Sequence, residues 1–425
     1  MFKNIDSVLN TKFEGEKVNL RGWVYRKREQ KKLIFIILRD YSNIIQGVIK
    51  ADSKSWKEAQ KITIESSCEL TGTVHKDKRA PTGYEIRISN LKIIGLSEVF
   101  PITRDKSAEF LRDVRHLWIR SREITSILKV RSKVFEAIHE YFRKNGYYEY
   151  QSPILTCAAG ESGSTQFEVK YFKEKAFLAQ TWQLYAEAGI FALEKIYCIA
   201  PSFRAEKSIT SRHLTEYWHA EVETAWQDFE GLQKLGEELI SYVAQKVAKD
   251  CKKELQFLGK DPKEIAAIKP PFPRITYRKA LELLKKDGMK VPFGKDLRTI
   301  EEKKICSHYK KPVIVTHYPK KVKAFYMKED PEDKETVQGY DMLGDGLELI
   351  GASTREPDIK KIVERLKAQG ENPKDYEFYL DTRRYGSIPH SGFGLGVERV
   401  VQWLTGIDNI RDTIAFPRTP DRIKP

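Results

Sequence analysis

Phe203-Arg204-Ala205-Glu206-Lys207-Ser208-Ile209-Thr210-Ser211-Arg212-His213-Leu214-Thr215-Glu216-Tyr217-Trp218-His219-Ala220-Glu221-Val222-Glu223 reads as a strand that runs into a polar loop and returns as an alternating strand. Side chains two apart on a strand share a face. Arg204 and Glu206 therefore share one face, and His219, Glu221 and Glu223 share another. Gathering arginines, a histidine and several carboxylates on one surface is costly unless they pair or bind something. A surface ion-pair ladder would satisfy the pattern and contribute little. So dense a set on two strands points instead to a site.

The chain around this hairpin mixes helices and strands. Upstream, Glu123 to Lys144 predicts a long amphipathic helix with Ile124, Ile127, Leu128, Val134, Phe135, Ile138 and Phe142 as its apolar stripe, and Gly146 just beyond its end. Phe177–Ala179 and Lys195–Ile199 read as strands, and Gln183–Leu193 and Leu232–Lys249 as helices. Downstream, Gly392-Phe393-Gly394-Leu395-Gly396-Val397-Glu398-Arg399 is a glycine-rich strand-to-helix turn. Its glycines let the backbone approach a ligand closely. Residues 123–425 form one large α+β domain in this reading, and the charge-dense stretch 101–122 is a linker.

Residues 1–100 read as a small β domain. Val18–Tyr25, Leu33–Leu38, Ile44–Ile49, Cys68–His75 and Tyr84–Ile94 are five strand segments, with a short helix at Ser55–Ile62. Five strands and one helix in this length suit an OB-fold barrel. Arg26-Lys27-Arg28 and Lys31-Lys32 fall in the first strand-to-strand loop of this reading. The formal net charge of +15 suits a polyanionic partner, though a lysine-rich solvated surface would give the same balance.

No apolar run approaches the ~20 residues that span a bilayer, and Met1-Phe2-Lys3-Asn4-Ile5-Asp6 begins no secretory signal, so no membrane partner is expected. The five cysteines are scattered, odd in number and without a CxxC pair, which argues against zinc and disulfides and for the cytoplasm.

Phe203-Arg204-Ala205-Glu206 followed by Arg212-His213-Leu214 resembles motif 2 of the class II aminoacyl-tRNA synthetases, Gly392–Arg399 resembles their motif 3, and Tyr148-Glu149-Tyr150-Gln151-Ser152-Pro153 resembles the weaker motif 1. With the OB-like N-terminus, the resemblance spans the chain and falls in the aspartate, asparagine and lysine subgroup. It implies an α+β fold: an N-terminal anticodon-binding OB barrel and a catalytic domain built on an antiparallel sheet flanked by helices. It further implies a homodimer through motif 1, with ATP and Mg2+. Arg204 would hold the α-phosphate and the amino-acid carboxylate. Glu206, Arg212, His213, Leu214, Gly396 and Glu398 would line the ATP site, Arg399 would stack on adenine, and Glu348 would ligate the metal. A hard cation takes carboxylate and phosphate oxygens, so Glu348 is chemically apt.

In the amino-acid pocket, the family implies Glu161, Gln183, Arg204, Glu221 and Arg355. Aspartate enzymes have a lysine after Gln-Leu-Tyr and an aspartate in the second motif 2 strand; here those positions are Ala186 and Glu221. A glutamate accepts a hydrogen bond from a carboxamide and repels a carboxylate, so the resemblance points to asparagine and tRNA(Asn), with Arg355 donating to the side-chain oxygen. Arg384–Gly392 also lies nearer the asparagine pattern. Ala352, Thr354, Trp182, Ser162 and Gln166 depart from the family's usual residues around the pocket. Phe35 and Gln46 match OB positions that stack on and read the central anticodon uridine, and Glu85 is placed to read a neighbour. Alternatives left open are an aspartate enzyme that charges both tRNAs, an asparagine-forming ligase derived from this fold, and a non-catalytic RNA-binding regulator.

Overall fold

Alternation along Leu33–Arg39 shows how the N-terminal unit closes. Ile34, Ile36 and Leu38 are fully buried, while Phe35 and Ile37 between them are partly exposed. In the computed structural model, which describes residues 1–157, 166–207 and 210–425, this strand belongs to a closed barrel of order β1-β2-β3-β5-β4. Its strands are β1 (Lys17–Gln30), β2 (Leu33–Arg39), β3 (Ile44–Lys50), β4 (Ser67–Lys76) and β5 (Tyr84–Gly95). β1 serves two partners: Lys17–Trp23 pairs with β4 and Trp23–Gln30 with β2, with a register shift between Val24 and Arg26. Such a bulge bends a strand sharply enough to turn a barrel corner. The parallel β3–β5 pairing closes the ring. Val18, Leu20, Val24, Ile34, Ile36, Ile45 and Ile49 fill it.

One expectation fails here. Arg26, Lys27 and Arg28 lie within β1, not in a loop, because Gln30 pairs directly with Leu33 and only Lys31 and Lys32 make the turn. The apolar alternation ends near Tyr25, but pairing with β2 carries the strand five residues further with a polar outer face.

The chain divides into two compact units, Met1–Leu111 and Arg112–Pro425. The charge-dense stretch read as a linker carries two short helices, Ala108–Asp113 and Arg115–Trp118. Two of its arginines, Arg112 and Arg115, bind Asp412 at 3.0 and 3.3 Å. From Arg112 onward it is thus part of the second unit.

That unit is built on an eight-stranded sheet of order β12-β13-β14-β15-β16-β11-β10-β6. The strands are β6 (Tyr148–Glu149), β10 (Lys195–Phe203), β11 (Glu216–Ala225), β12 (Arg274–Thr276), β13 (Val313–Thr316), β14 (Gly339–Gly344), β15 (Leu347–Thr354) and β16 (His390–Gly396). Pairing is antiparallel except at the two ends, β12–β13 and β10–β6. β7 (Leu155–Thr156), β8 (Glu168–Tyr171) and β9 (Glu174–Leu178) form a separate small sheet. The predicted long helix spans Arg122–Lys144. Ser121 caps it by accepting from the Ile124 N–H, and it buries Ile124, Ile127, Val134, Ile138 and Phe142. The helix Gln183–Leu193 has the predicted bounds.

The barrel's alternation gives a testable contrast between neighbours. Ile36→Ala empties a fully buried position and should cost about 2–5 kcal/mol. Phe35→Ala removes a partly exposed ring and should cost less than about 1 kcal/mol. Urea unfolding of the two variants checks this; equal losses would place Phe35 in the core.

Candidate active site

The motif 2 hairpin is the β10–β11 pair. Cys198 faces Glu221 and Ile196 faces Glu223 across it, and the connection Arg204–Thr215 is pinned by Arg204 N–H to Thr215 O (3.0 Å) and Thr215 N–H to Arg418 O (2.9 Å). On the other side of β11 runs β16, in a register that sets His219 opposite Gly396, Glu221 opposite Gly394 and Glu223 opposite Gly392. Gly394 is in turn opposite Gly351 of β15. Side chains thus stand on β11 while the next strands offer bare backbone, leaving a groove over the sheet. A Cβ on Gly394 would sit 3.7 Å from His219 and 3.8 Å from Glu221, inside that groove.

One end of the groove opens into a cleft lined by Arg204, Glu206, Arg212, His213, Leu214, His219, Glu348, Gly396, Glu398 and Arg399. The fold therefore brings together every residue expected around ATP, although they do not all present side chains to it. Leu214 is 6% exposed and packs on Ile410 and Ile414, so it fixes the loop. Glu398 is 1% exposed; its carboxylate binds Arg131 at 2.7 Å and accepts from the Trp218 N–H at 3.0 Å. These contacts tie motif 3 to β11 where Glu398 lines the cleft. Arg204 lies over the Tyr217 ring at 5.5 Å. Arg399 Nη1 donates to the Glu348 carbonyl at 3.1 Å and lies 3.4 Å from its carboxylate.

Glu348 keeps 39% of its side-chain surface open. Burial pushes its carboxyl up, but Arg399, Lys323 and Arg204 outweigh this and hold it below its usual range. Sequence reasoning missed Asp341, on the neighbouring strand β14. Burial pushes Asp341 up to about 6, with Glu348 adding to the rise and Lys323, 2.7 Å away, opposing it. A Cβ on Gly351 would lie 3.0 Å from a Glu348 oxygen and 3.8 Å from an Asp341 oxygen, so both carboxylates border one small open point. Two mutually crowded carboxylates at the mouth of an arginine-lined cleft fit a hard divalent cation.

The other end of the groove is the candidate amino-acid pocket. Glu221 is 4% exposed and accepts from Thr181 Oγ1 (2.5 Å) and Trp182 N–H (3.1 Å), with His219 Nδ1 at 3.1 Å. Burial alone would push its pKa up; His219, Thr181 and Trp182 reverse this and hold the carboxyl below its usual range. Beneath it, Arg355 Nε and Nη2 donate to the two Glu223 oxygens at 3.0 and 2.9 Å, and Nη1 donates to Ser353 Oγ at 2.7 Å. Three N–H groups of the expected side-chain donor are therefore engaged, and two remain of the five. Gln183 donates to Glu187 at 2.8 Å. Glu187 itself is fully buried and is bound by Arg383, by Tyr379 OH (2.9 Å) and by His390 Nε2 (2.9 Å). Glu187, Glu223 and His390 bring ligand atoms within 4.8 Å of one another. Two guanidiniums already supply the cation there. Glu187 and Arg383 were invisible to the motif reading. The signal available was the Gln183–Glu187 spacing of four on one helix face. Glu161 and Ser162 lie outside the described residues.

In the barrel unit, Phe35 faces outward from β2 and pairs with Val48; Gln46, two residues earlier on β3, faces the same way. Gln46 Nε2 donates to Glu85 at 3.3 Å across the parallel pair. The three residues expected to read an anticodon thus share one patch.

The glycine column predicts two unlike outcomes. Gly394→Val should fill the groove, raising the KM for the amino acid by more than about tenfold with little change in Tm. A Cβ on Gly392 would meet Glu223 Oε2 at 2.1 Å and Val222 O at 2.3 Å, so Gly392→Ala should cost about 1–3 kcal/mol. Thermal melts and steady-state kinetics separate the two; a normal KM in Gly394→Val would empty the groove of its assigned role.

Residues 107–420 match the model of the tRNA synthetases class II (D, K and N), and residues 18–94 match an OB-fold nucleic acid binding domain. The asparagine–tRNA ligase of Thermococcus kodakarensis is 49% identical over 97% of each chain. The crystal structure of asparaginyl-tRNA synthetase from Pyrococcus horikoshii complexed with asparaginyl-adenylate covers 100% of both chains at 44% identity, with a TM-score of 0.95. The Entamoeba histolytica asparaginyl-tRNA synthetase in complex with asparaginyl-adenylate is 32% identical, again over 100% of both chains, with a TM-score of 0.90. With three quarters of its length matched by one family model and near-complete coverage by these relatives, the chain belongs to the class II tRNA synthetases of the D, K and N group.

Proposed function

We propose that this chain activates asparagine with ATP and transfers it to tRNA(Asn). In the first step the asparagine carboxylate attacks the α-phosphorus, the bond to the bridging oxygen breaks, and pyrophosphate leaves. The 2′- or 3′-hydroxyl of the terminal tRNA adenosine then attacks the activated carbonyl and releases AMP. The attacking carboxylate is ionised at neutral pH, so the first step needs no general base. Arg204 and Arg399 act by holding the reacting phosphate and neutralising the charge that develops on it. A magnesium ion would be held by Glu348 with Asp341 beside it, and when bound supplies further charge neutralisation at the phosphates.

The observation that carries the choice of amino acid is Glu221. It is a buried, ionised acceptor with Ala186, not a cation, at the position where a carboxylate substrate needs a lysine. The NH2 of asparagine donates to such a group, whereas aspartate is repelled by it. Sites built on hydrogen bonds of this kind separate near-isosteres by roughly 10⁴–10⁵-fold. Arg355, fixed by Glu223, offers its remaining N–H groups to the side-chain oxygen, and Gln183 and Glu161 complete the pocket.

Phe35, Gln46 and Glu85 read the anticodon. An outward aromatic face beside an amide is suited to an unpaired base. The enzyme acts as a homodimer. This reading is supported by the two-residue strand β6 at the end of the sheet and by the exposed Tyr148 on it. No helix among the described residues is long and apolar enough to cross a membrane. Five free thiols, four of them buried, support a reducing, cytoplasmic setting.

Two charging experiments test this. Phe35→Ala should lower kcat/KM for tRNA by about 10- to 100-fold, the worth of one base stack, while adenylate formation stays unchanged. Equal loss of both activities would make Phe35 a folding residue. Glu221→Asp combined with Ala186→Lys should move preference toward aspartate; an unaltered preference would remove these positions as the selectivity pair.

A further inference from the structure

Arg212 is gripped on one side only. Among the described residues its protein contacts all fall on Nη1, which donates to Gly346 O at 2.5 Å and Thr299 Oγ1 at 3.1 Å and lies 3.5 Å from Glu302 Oε2. The opposite edge, Nε and Nη2, meets no acceptor among the described residues, and the side chain lines the cleft. That edge is the fork that binds a phosphate through two parallel hydrogen bonds. An arginine on a loop would otherwise sample many rotamers, and fixing it beforehand removes that cost from ligand binding.

The platform that grips Arg212 is itself built tightly. Thr299 and Glu302 lie one turn apart on the helix Thr299–Cys306, and the helix packs on the Asp345–Gly346 turn. Gly346 has φ +72°, and a Cβ there would fall 2.7 Å from the Lys303 Cα. Glu302 keeps only 15% of its side chain exposed. None of these residues belongs to a recognised motif of the sequence.

We propose that Glu302, with Thr299 and the Gly346 carbonyl, is a positioning residue that holds Arg212 so that its free edge meets the triphosphate of ATP. The inference rests on the reading of the cleft as an ATP site. Glu302 touches no reacting atom; it acts through Arg212.

The test is asparagine-dependent ATP–pyrophosphate exchange with the full-length protein. Absence of exchange in the unaltered protein would remove the ATP reading and this proposal with it. Given exchange, Glu302→Ala should raise the KM for ATP by about tenfold, leaving kcat, the KM for asparagine and the magnesium dependence within about twofold. Glu302→Gln keeps an acceptor and should show about a threefold rise. In an Arg212→Ala background, Glu302→Ala should add nothing further. If Glu302→Ala fails to fold, Thr299→Val provides the same readout, with about a threefold rise in the KM for ATP expected. An unchanged KM for ATP, additive losses in the double variant, or a shifted magnesium requirement would each overturn the proposal.

Discussion

The bidentate pair of Arg355 and Glu223 is the interaction on which the rest of the catalytic unit depends. It joins the end of β15 to the last few residues of β11, where Glu223 faces Gly392 of β16. Removing one member of such a buried pair costs about 3–5 kcal/mol, because the other charge is stranded. Beside it Arg383 donates to Glu187 through Nη2 alone, and Tyr379 OH and His390 Nε2 meet the same carboxylate. Within this layer the four charges cancel. Glu221, in the layer above, is met by a histidine, a hydroxyl and a backbone N–H, but not by an arginine. The pocket therefore presents negative charge to whatever enters it.

The groove is electrostatically divided. Its cleft end carries Arg204, Arg212 and Arg399, with Glu348 and Asp341 set among them. Its other end is governed by Glu221. A substrate that is anionic at its phosphates and neutral at its side chain matches both ends. The chemistry asked of the protein is then placement and charge neutralisation.

Much of this was legible in the sequence because it is local. The β10–β11 hairpin, the helix Gln183–Leu193 and the barrel strands are written in patterns of two or of three to four residues. The pairing of charges was not legible. Arg355 meets Glu223 across 132 positions, Glu398 meets the Trp218 N–H across 180, and Arg383 meets Glu187 across 196. A motif marks that Glu398 and Arg355 matter without saying which carboxylate or guanidinium consumes them. Asp341, Glu187 and Glu302 were silent for the same reason: each acquires its meaning from a neighbour on another strand or loop. The misplaced loop at Arg26–Arg28 has a related cause. Its residues are polar because they cover the outside of the barrel, and only the pairing with β2 reveals a strand.

The central claim is that an ionised Glu221 in a pocket without a cation at position 186 selects asparagine for adenylation. The most direct measurement is ATP–pyrophosphate exchange by the unaltered protein with asparagine and with aspartate, side by side at saturating magnesium. The account predicts rapid exchange with asparagine and none above background with aspartate. Exchange with aspartate at a comparable rate would contradict it, leaving the fold in place but stripping Glu221 of its role.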